Sequence, residues 1–308
     1  MLLACTVKAK QISFSKYPQD DHYVFKYQWL DYDKQTQSMS FSLTKAALFE
    51  RFRMLKTYQS EFAQKSIMRD LRKQLRKQPL KGVQTIFLQQ NGQTEIQIKG
   101  SEDKNVAFAY QQVNKLQQTL TTKYFRKNYY QLFTSNDQQT GIKVAHVSVA
   151  NDSVADFKAL KPVIMEKVAI ENIRKVANYV LGFVQSIPYS PLESRITSSG
   201  AGFNPPAKLL WENQGDCDSK MTLTATILRA LMPRIDMVMI YIDQHAFIGI
   251  AIPGEAGEMT IDYQGITYLL AEPTGPALYP LGALAPESEL AVDQGRYIAE
   301  AFHSDGSY

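Results

Sequence analysis

Over residues 6–43 polar and apolar positions alternate in patches, as in Ile12-Ser13-Phe14 and His22-Tyr23-Val24-Phe25-Lys26-Tyr27. A period of two puts alternate side chains on one face, so this stretch predicts two or three strands with a polar turn near residues 18–21. The period then lengthens. Phe52, Leu55, Phe62, Ile67 and Leu71 recur at helical spacing, which predicts one helix from about residue 43 to 78, with Thr44 as N-cap and Pro79 as its stop. Alternation returns at 83–88 and 94–98 on either side of Gln90-Asn91-Gly92, a hairpin signal. Residues 105–133 read as a long helix, and the polar run 134–141 as a linker.

The second half is more apolar in its runs. A strand is expected at 144–149, then a helix capped by Asp152 or Ser153, one or two helices over 163–184, and a long polar loop at 190–204. Loops of that length within a domain are often functional, as a rim or lid. The run 221–232 has helical character and is stopped by Pro233, while 236–243, 245–252 and 266–272 read as strands. Together these elements predict an α+β protein, with an α+β accessory domain at 6–140 and a second domain at 141–308.

Charge sharpens that division. Residues 1–140 carry 22 Lys/Arg against 11 Asp/Glu, whereas residues 141–308 carry 12 against 19. A basic first half suits an envelope partner of opposite charge or a solvated surface, and no nucleic-acid module is present in the pattern. The helix end with Lys65, Arg69, Arg72, Lys73, Arg76 and Lys77 is explained by the macrodipole, which favours cations at a C-terminus. No apolar run approaches the ~18 residues that a spanning helix requires. Leu2-Leu3-Ala4-Cys5 matches the end of a bacterial lipoprotein signal, with residues 1–5 as its remnant and Cys5 as the lipidated residue. This predicts a periplasmic or acyl-tethered envelope protein, with the cytoplasm as the alternative.

Only two cysteines, Cys5 and Cys217, and four histidines, His22, His146, His245 and His303, are present. That excludes a disulfide framework and the paired-histidine zinc motif. His146 is expected within a strand, in a structural role. The informative cysteine is Cys217. It lies in Gly215-Asp216-Cys217-Asp218-Ser219-Lys220, just before the 221–232 helix, so Asp216 is the expected N-cap and Cys217 the first helical residue. Unpaired N–H groups and the positive dipole end there favour a thiolate. Asp216 and Asp218 oppose it, so a cationic partner is needed. His245, the first residue of a strand, is the candidate base. Glu272, at the end of another strand, is the candidate acid that orients the imidazole if those strands pair antiparallel. Asp262 is the competing acid. The Cys217 N–H is one oxyanion donor, with Gln185, Trp211 and Gln214 as candidates for a second.

In these residues the chain resembles the transglutaminase-like superfamily of thiol enzymes over about residues 165–285. The motif Gly215-Asp216-Cys217-Asp218-Ser219-Lys220, the pair His245-Ala246 and the run Glu272-Pro273-Thr274 follow in the family's order. Glu stands where the family more often has Asp, and the interval from His245 to Glu272 is longer than in its simplest members. The resemblance implies a papain-like domain with the cysteine helix packed on an antiparallel sheet, and acyl transfer through a thioester at Cys217. Hydrolysis of a peptide or amide bond in an envelope protein is the expected reaction. Crosslinking to an amine is the alternative, and a non-catalytic scaffold that retains the fold is a third reading. No cofactor or metal is implied. The expected partners are a protein or peptide substrate and an envelope component that meets the basic half.

Overall fold

A computed structural model describes residues 10–90, 93–135, 138–169, 171–194 and 202–303. Cys5 therefore lies outside the described residues, as does the 195–201 part of the polar loop. The described chain begins with β1 (Lys10–Gln19), β2 (His22–Leu30) and β3 (Thr36–Thr44), an antiparallel meander whose first turn falls at Asp20-Asp21 as the alternation predicts. Thr44 caps α1 (Lys45–Phe49), its hydroxyl accepting from the Ala47 N–H at 3.1 Å. The single helix expected to 78 is broken here: α2 (Ser60–Lys77) starts only after residues 50–59, although nothing in the local sequence marks the gap.

Next come the hairpin β4 (Val83–Gln90) and β5 (Gln93–Gly100), α3 (Asp103–Lys127), and the strands β6 (Tyr130–Thr134) and β7 (Thr140–Val144). β6 and β7 pair with each other, so the expected linker is the connection between two paired strands, with Thr134, Thr140 and Gly141 inside them. The strand expected at 144–149 gives way to α4 (His146–Phe157), which corrects the placement of His146: it opens a helix. Then follow α5 (Leu160–Met165), α6 (Ile173–Ser186), α7 (Pro206–Glu212), α8 (Cys217–Leu231), β8 (Met237–Ile242), β9 (His245–Ile250), β10 (Thr260–Tyr263), β11 (Ile266–Ala271), α9 (Pro286–Asp293) and β12 (Ile298–Phe302). The fold class is α+β, with every strand pair of known register antiparallel.

The chain forms two compact units, and the division differs from the one expected at residue 140. One unit comprises 54–133 and 140–145; the other comprises the described residues of 1–53, 134–139 and 146–308. The first three strands thus belong with the cysteine-bearing half. Their apolar face explains why. Phe25, Tyr27, Trp29, Met39, Phe41 and Leu43 are buried in one core with Phe183, Val184 and Leu228. Phe183 of α6 meets Tyr27 edge-on at 4.9 Å and lies 5.4 Å from Trp29, distances at which aromatic pairs attract beyond their buried area. A period-two pattern says that a strand has a buried face; it does not say which helix covers it. The smaller unit has its own core, in which Ile67 and Leu71 of α2 meet Val113 and Leu120 of α3 with Ile98 of β5.

In the larger unit α8 is buried along nearly its whole length. It packs on β9 and against α4, α6 and α7. The sheet beside it runs β10-β11-β9-β8-β12. Its centre is close-packed: a Cβ built at Gly249 of β9 would fall 2.7 Å from Val238 Cγ1 and 2.9 Å from Tyr268 Cβ. A glycine there leaves room for the side chains that the flanking strands β8 and β11 of the same sheet place against it.

Candidate functional site

The start of α8 is built by several independent contacts. Asp216 has extended backbone and its carboxylate accepts from the Ser219 N–H at 3.0 Å, so it is the N-cap expected from sequence. Asn204, fully buried, ties the approach down. Its N–H donates to Ser219 Oγ at 2.8 Å, and its amide donates to Glu212 at 2.9 Å and to the Gln214 carbonyl at 3.3 Å. Gly215 fits because a Cβ there would lie 2.6 Å from Leu209 Cδ1. Cys217 therefore sits at the first helical position, 9% exposed, where its N–H has no partner inside the helix. Its thiol donates to the Gln244 carbonyl at 3.8 Å. Gln244, at φ +56°, closes the two-residue turn between β8 and β9, so the same turn supplies a contact to the thiol and sets His245 at the strand start.

β9 and β11 pair antiparallel, with Ala271 opposite Ile248. The end of β11 therefore comes alongside the start of β9. Glu272, only 1% exposed, places Oε1 2.8 Å from His245 Nε2. Cys217 is near enough to act electrostatically on the imidazole, and with Nε2 engaged by Glu272 the other ring nitrogen, Nδ1, is left free of that carboxylate. Burial pushes the His245 pKa down. The interactions with Cys217 and Glu272 outweigh it and raise the value to about 10. The three residues named from sequence are thus brought together.

The other candidates separate. Asp262 is exposed on β10, and its carboxylate is taken by Thr267 Oγ1 at 2.5 Å, so it is not the acid. Gln185 donates to the carbonyls of Glu272 at 2.7 Å and Tyr279 at 2.8 Å. Both its amide hydrogens are used, which corrects its candidacy as an oxyanion donor: it holds the strand end that carries the acid. Trp211 is packed in an aromatic cluster, 4.8 Å from Tyr23 and 4.9 Å from Phe49, with the Lys16 ammonium 3.7 Å over its ring. That is a packing role. Gln214 is held through its own backbone, its N–H donating to the Leu209 carbonyl at 3.3 Å.

Sequence reasoning missed two supports. Ser288 of α9 donates to Glu272 Oε2 at 3.2 Å, so the acid's second oxygen is also satisfied. No local pattern announces it. Lys220, in the first turns of α8, is 0% exposed and donates to the Ile187 carbonyl at 2.5 Å. Burial lowers its pKa to about 7 despite the opposing pull of Glu272 and Cys217. Burial also raises Asp216 to about 7, with the charge of Asp218 adding to the effect and the bonds from Ser219 resisting it. Like-charge repulsion beside the thiol is therefore weaker near neutrality than the sequence suggests.

His146 is a buried histidine in the same unit, with Nδ1 3.0 Å from Tyr241 Oη and Nε2 3.7 Å from Asp218 Oδ2. Among the described residues no cluster of His, Cys, Asp or Glu has the arrangement of a metal site, and no helix is long and apolar enough to cross a membrane. No family model, curated protein or solved structure matches the chain.

Proposed function

We propose that the protein is a thiol enzyme of papain-like, transglutaminase-like type that transfers acyl groups through Cys217, with His245 as base and acid and Glu272 as the group that orients it. One observation carries this reading: His245 Nε2 lies 2.8 Å from the buried Glu272 carboxylate, while Cys217 Sγ at the start of α8 lies 3.8 Å from the carbonyl of Gln244, the residue that precedes His245. A cysteine at a helix N-terminus beside a histidinium is a nucleophile kept as thiolate.

The chemistry follows from the arrangement. The thiolate adds to an amide carbonyl carbon, and the developing oxyanion is met by the Cys217 N–H. As the C–N bond breaks, the imidazolium gives its proton to the leaving amine and a thioester remains on Cys217. The neutral His245 then takes a proton from water as its oxygen adds to the thioester carbon; the C–S bond breaks, the carboxylic acid leaves, and the Cys217 thiolate and His245 imidazolium are restored. Glu272 stays ionised throughout and stabilises the imidazolium. Hydrolysis of a peptide or amide is the reaction we assign, on a protein substrate of the bacterial envelope, with an amine in place of water giving crosslinking.

The test uses p-nitrophenyl acetate and intact-mass spectrometry. We expect an acetyl adduct on Cys217 that forms quickly and decays in water, that is absent in Cys217→Ala, and that forms at least about 100-fold more slowly in His245→Ala. A Cys217 that acylates and alkylates with iodoacetamide at the rate of an ordinary exposed thiol would sink the reading. Adding a primary amine during decay separates the acceptors: a product carrying the amine marks crosslinking chemistry.

A further inference from the structure

The smaller unit carries a charged face that its own core does not need. Residues 54–133 and 140–145 hold 15 Lys/Arg against 5 Asp/Glu, whereas the whole chain holds 34 against 30. Much of that excess lies on α2. At the helical period Phe62, Lys65, Arg69, Arg72, Lys73 and Arg76 fall within an arc of about 100°. The buried residues of α2, Ala63, Ile67, Leu71 and Leu75, lie on the opposite side. All of the stripe is exposed except Arg72, which is half-buried. The macrodipole acts on the last turn, where Arg76 and Lys77 stand. It leaves Lys65, Arg69, Arg72 and Lys73 unexplained, which corrects the account drawn from sequence.

Local carboxylates do little to neutralise the stripe. Lys65 is 3.9 Å from Glu61, and Arg69 is 3.5 Å from Asp70. Among the described residues Lys73 and Arg76 form no ion pair. The Arg72 guanidinium lies over the Phe87 ring, 4.7 Å from its centroid. Beside it, between α2 and β4, is an open hollow of about 390 Å³. Arg72, Arg76, Gln84 and Thr85 line it, with Leu75 and Phe87 as apolar neighbours. Guanidinium, amide and hydroxyl donors around one opening suit a phosphate, whose oxygens accept from several donors at once.

We propose that this face of α2 docks on an anionic phospholipid surface, with a headgroup phosphate seated in the hollow between Arg72 and Arg76. The stripe runs about 20 Å along the outside of a helix, a convex line of cations that meets a flat sheet of charge. Each Lys or Arg close to such a surface strengthens binding roughly 5-fold. Phe62 favours a membrane over nucleic acid. It is 65% exposed at the N-terminal end of the stripe. A bilayer admits a phenyl ring at the boundary of its acyl chains, whereas a phosphodiester backbone offers that ring only charge. The inference concerns where the protein sits and is independent of the thiol reading.

The experiment is co-sedimentation of the full chain with sucrose-loaded vesicles at about 0.1 M NaCl. One set is pure phosphatidylcholine, and the other carries one third phosphatidylglycerol. We expect the chain to partition onto the anionic set at least about 100-fold more strongly. The combined variant Lys65→Gln, Arg69→Gln, Lys73→Gln, Arg76→Gln should lose at least about 30-fold of that binding, with circular dichroism unchanged because all four side chains are exposed. Phe62→Ser, which keeps every charge, should lose roughly 5- to 10-fold. Arg76→Lys keeps the charge but not the planar fork, and should lose about 3-fold. Equal sedimentation with both vesicle sets, or a combined variant that binds like the parent, overturns the proposal. Unchanged binding of Arg76→Lys would strike the phosphate seat. Oligouridylate, at a phosphate concentration equal to that of the lipid, should leave the chain on the vesicles. If it strips the chain off, the face belongs to nucleic acid and the membrane assignment falls.

Discussion

At the scale of single residues, the site depends on Glu272 being both buried and fully bonded. Its Oε1 faces His245, its Oε2 accepts from Ser288, and its carbonyl accepts from Gln185. Glu272→Gln keeps the shape but removes the negative charge that steadies the imidazolium, and a neutral amide cannot hold the ring in the same protonation state. We expect turnover of an amide substrate to fall roughly 10²- to 10⁴-fold, with circular dichroism and the unfolding midpoint little changed. The pH dependence has a definite sign. His245 is raised to about 10, so its proton is present across neutrality and is lost as pH rises through about 10. Amide turnover, which needs that proton for the leaving amine, should decline there. Alkylation of Cys217 by iodoacetamide, which needs only the thiolate, should not. Stopped-flow alkylation and amide hydrolysis over pH 6–11 check this, and parallel profiles would contradict it. The same shift makes a stability claim: the contribution of the His245 pairing is fully present below about 6.5, its ordinary value, and is lost as pH rises through about 10. These residues were legible because each sits in a local context with its own physical cue: a cap, a strand start, a strand end. Gln185 was misassigned and Ser288 missed because their roles depend on which elements meet, and that is written nowhere in the local sequence.

At the scale of elements, antiparallel pairing of β9 and β11 brings the base to the acid, and close packing around Gly249 keeps the register. Gly249→Ala would place a methyl within 3 Å of Val238 Cγ1 and Tyr268 Cβ. Backbone shift and off-rotamer neighbours should then cost about 1–3 kcal/mol, read as a lower denaturant midpoint. A variant as stable as the parent would show that the neighbouring side chains on β8 and β11 yield freely. Element types were largely readable, since the strands β1–β3 and the helix α8 follow from period and capping. Two elements were not. The gap between α1 and α2 carries no proline or glycine, and His146 opens a helix where alternation suggested a strand. In both, tertiary placement overrides a weak local signal.

At the scale of the whole molecule, the first strands and the cysteine-bearing half share one core, and the smaller unit has its own. The charge contrast between the halves encouraged a boundary near 140. Charge reports on surface, however, and the shared core of Phe25, Tyr27, Trp29 and Phe183 decides membership. Removing residues 10–53 should expose the buried side of α6 and abolish cooperative unfolding together with Cys217 reactivity. Replacing residues 54–145, which carry the smaller unit and only the short 134–139 segment of the larger one, with a flexible Gly/Ser linker should preserve both. Calorimetry and iodoacetamide labelling of the two chains test this directly, and loss of the core in the linker-bearing chain would refute it.

That interrupted connectivity has a consequence during synthesis. As the nascent chain leaves the ribosome, β1–β3 emerge long before α6, which must cover their apolar face. The inserted unit, complete by residue 145, is free to fold first. The early meander meanwhile waits with Phe25, Trp29 and Phe41 uncovered, an interval in which a chaperone has a defined segment to shield.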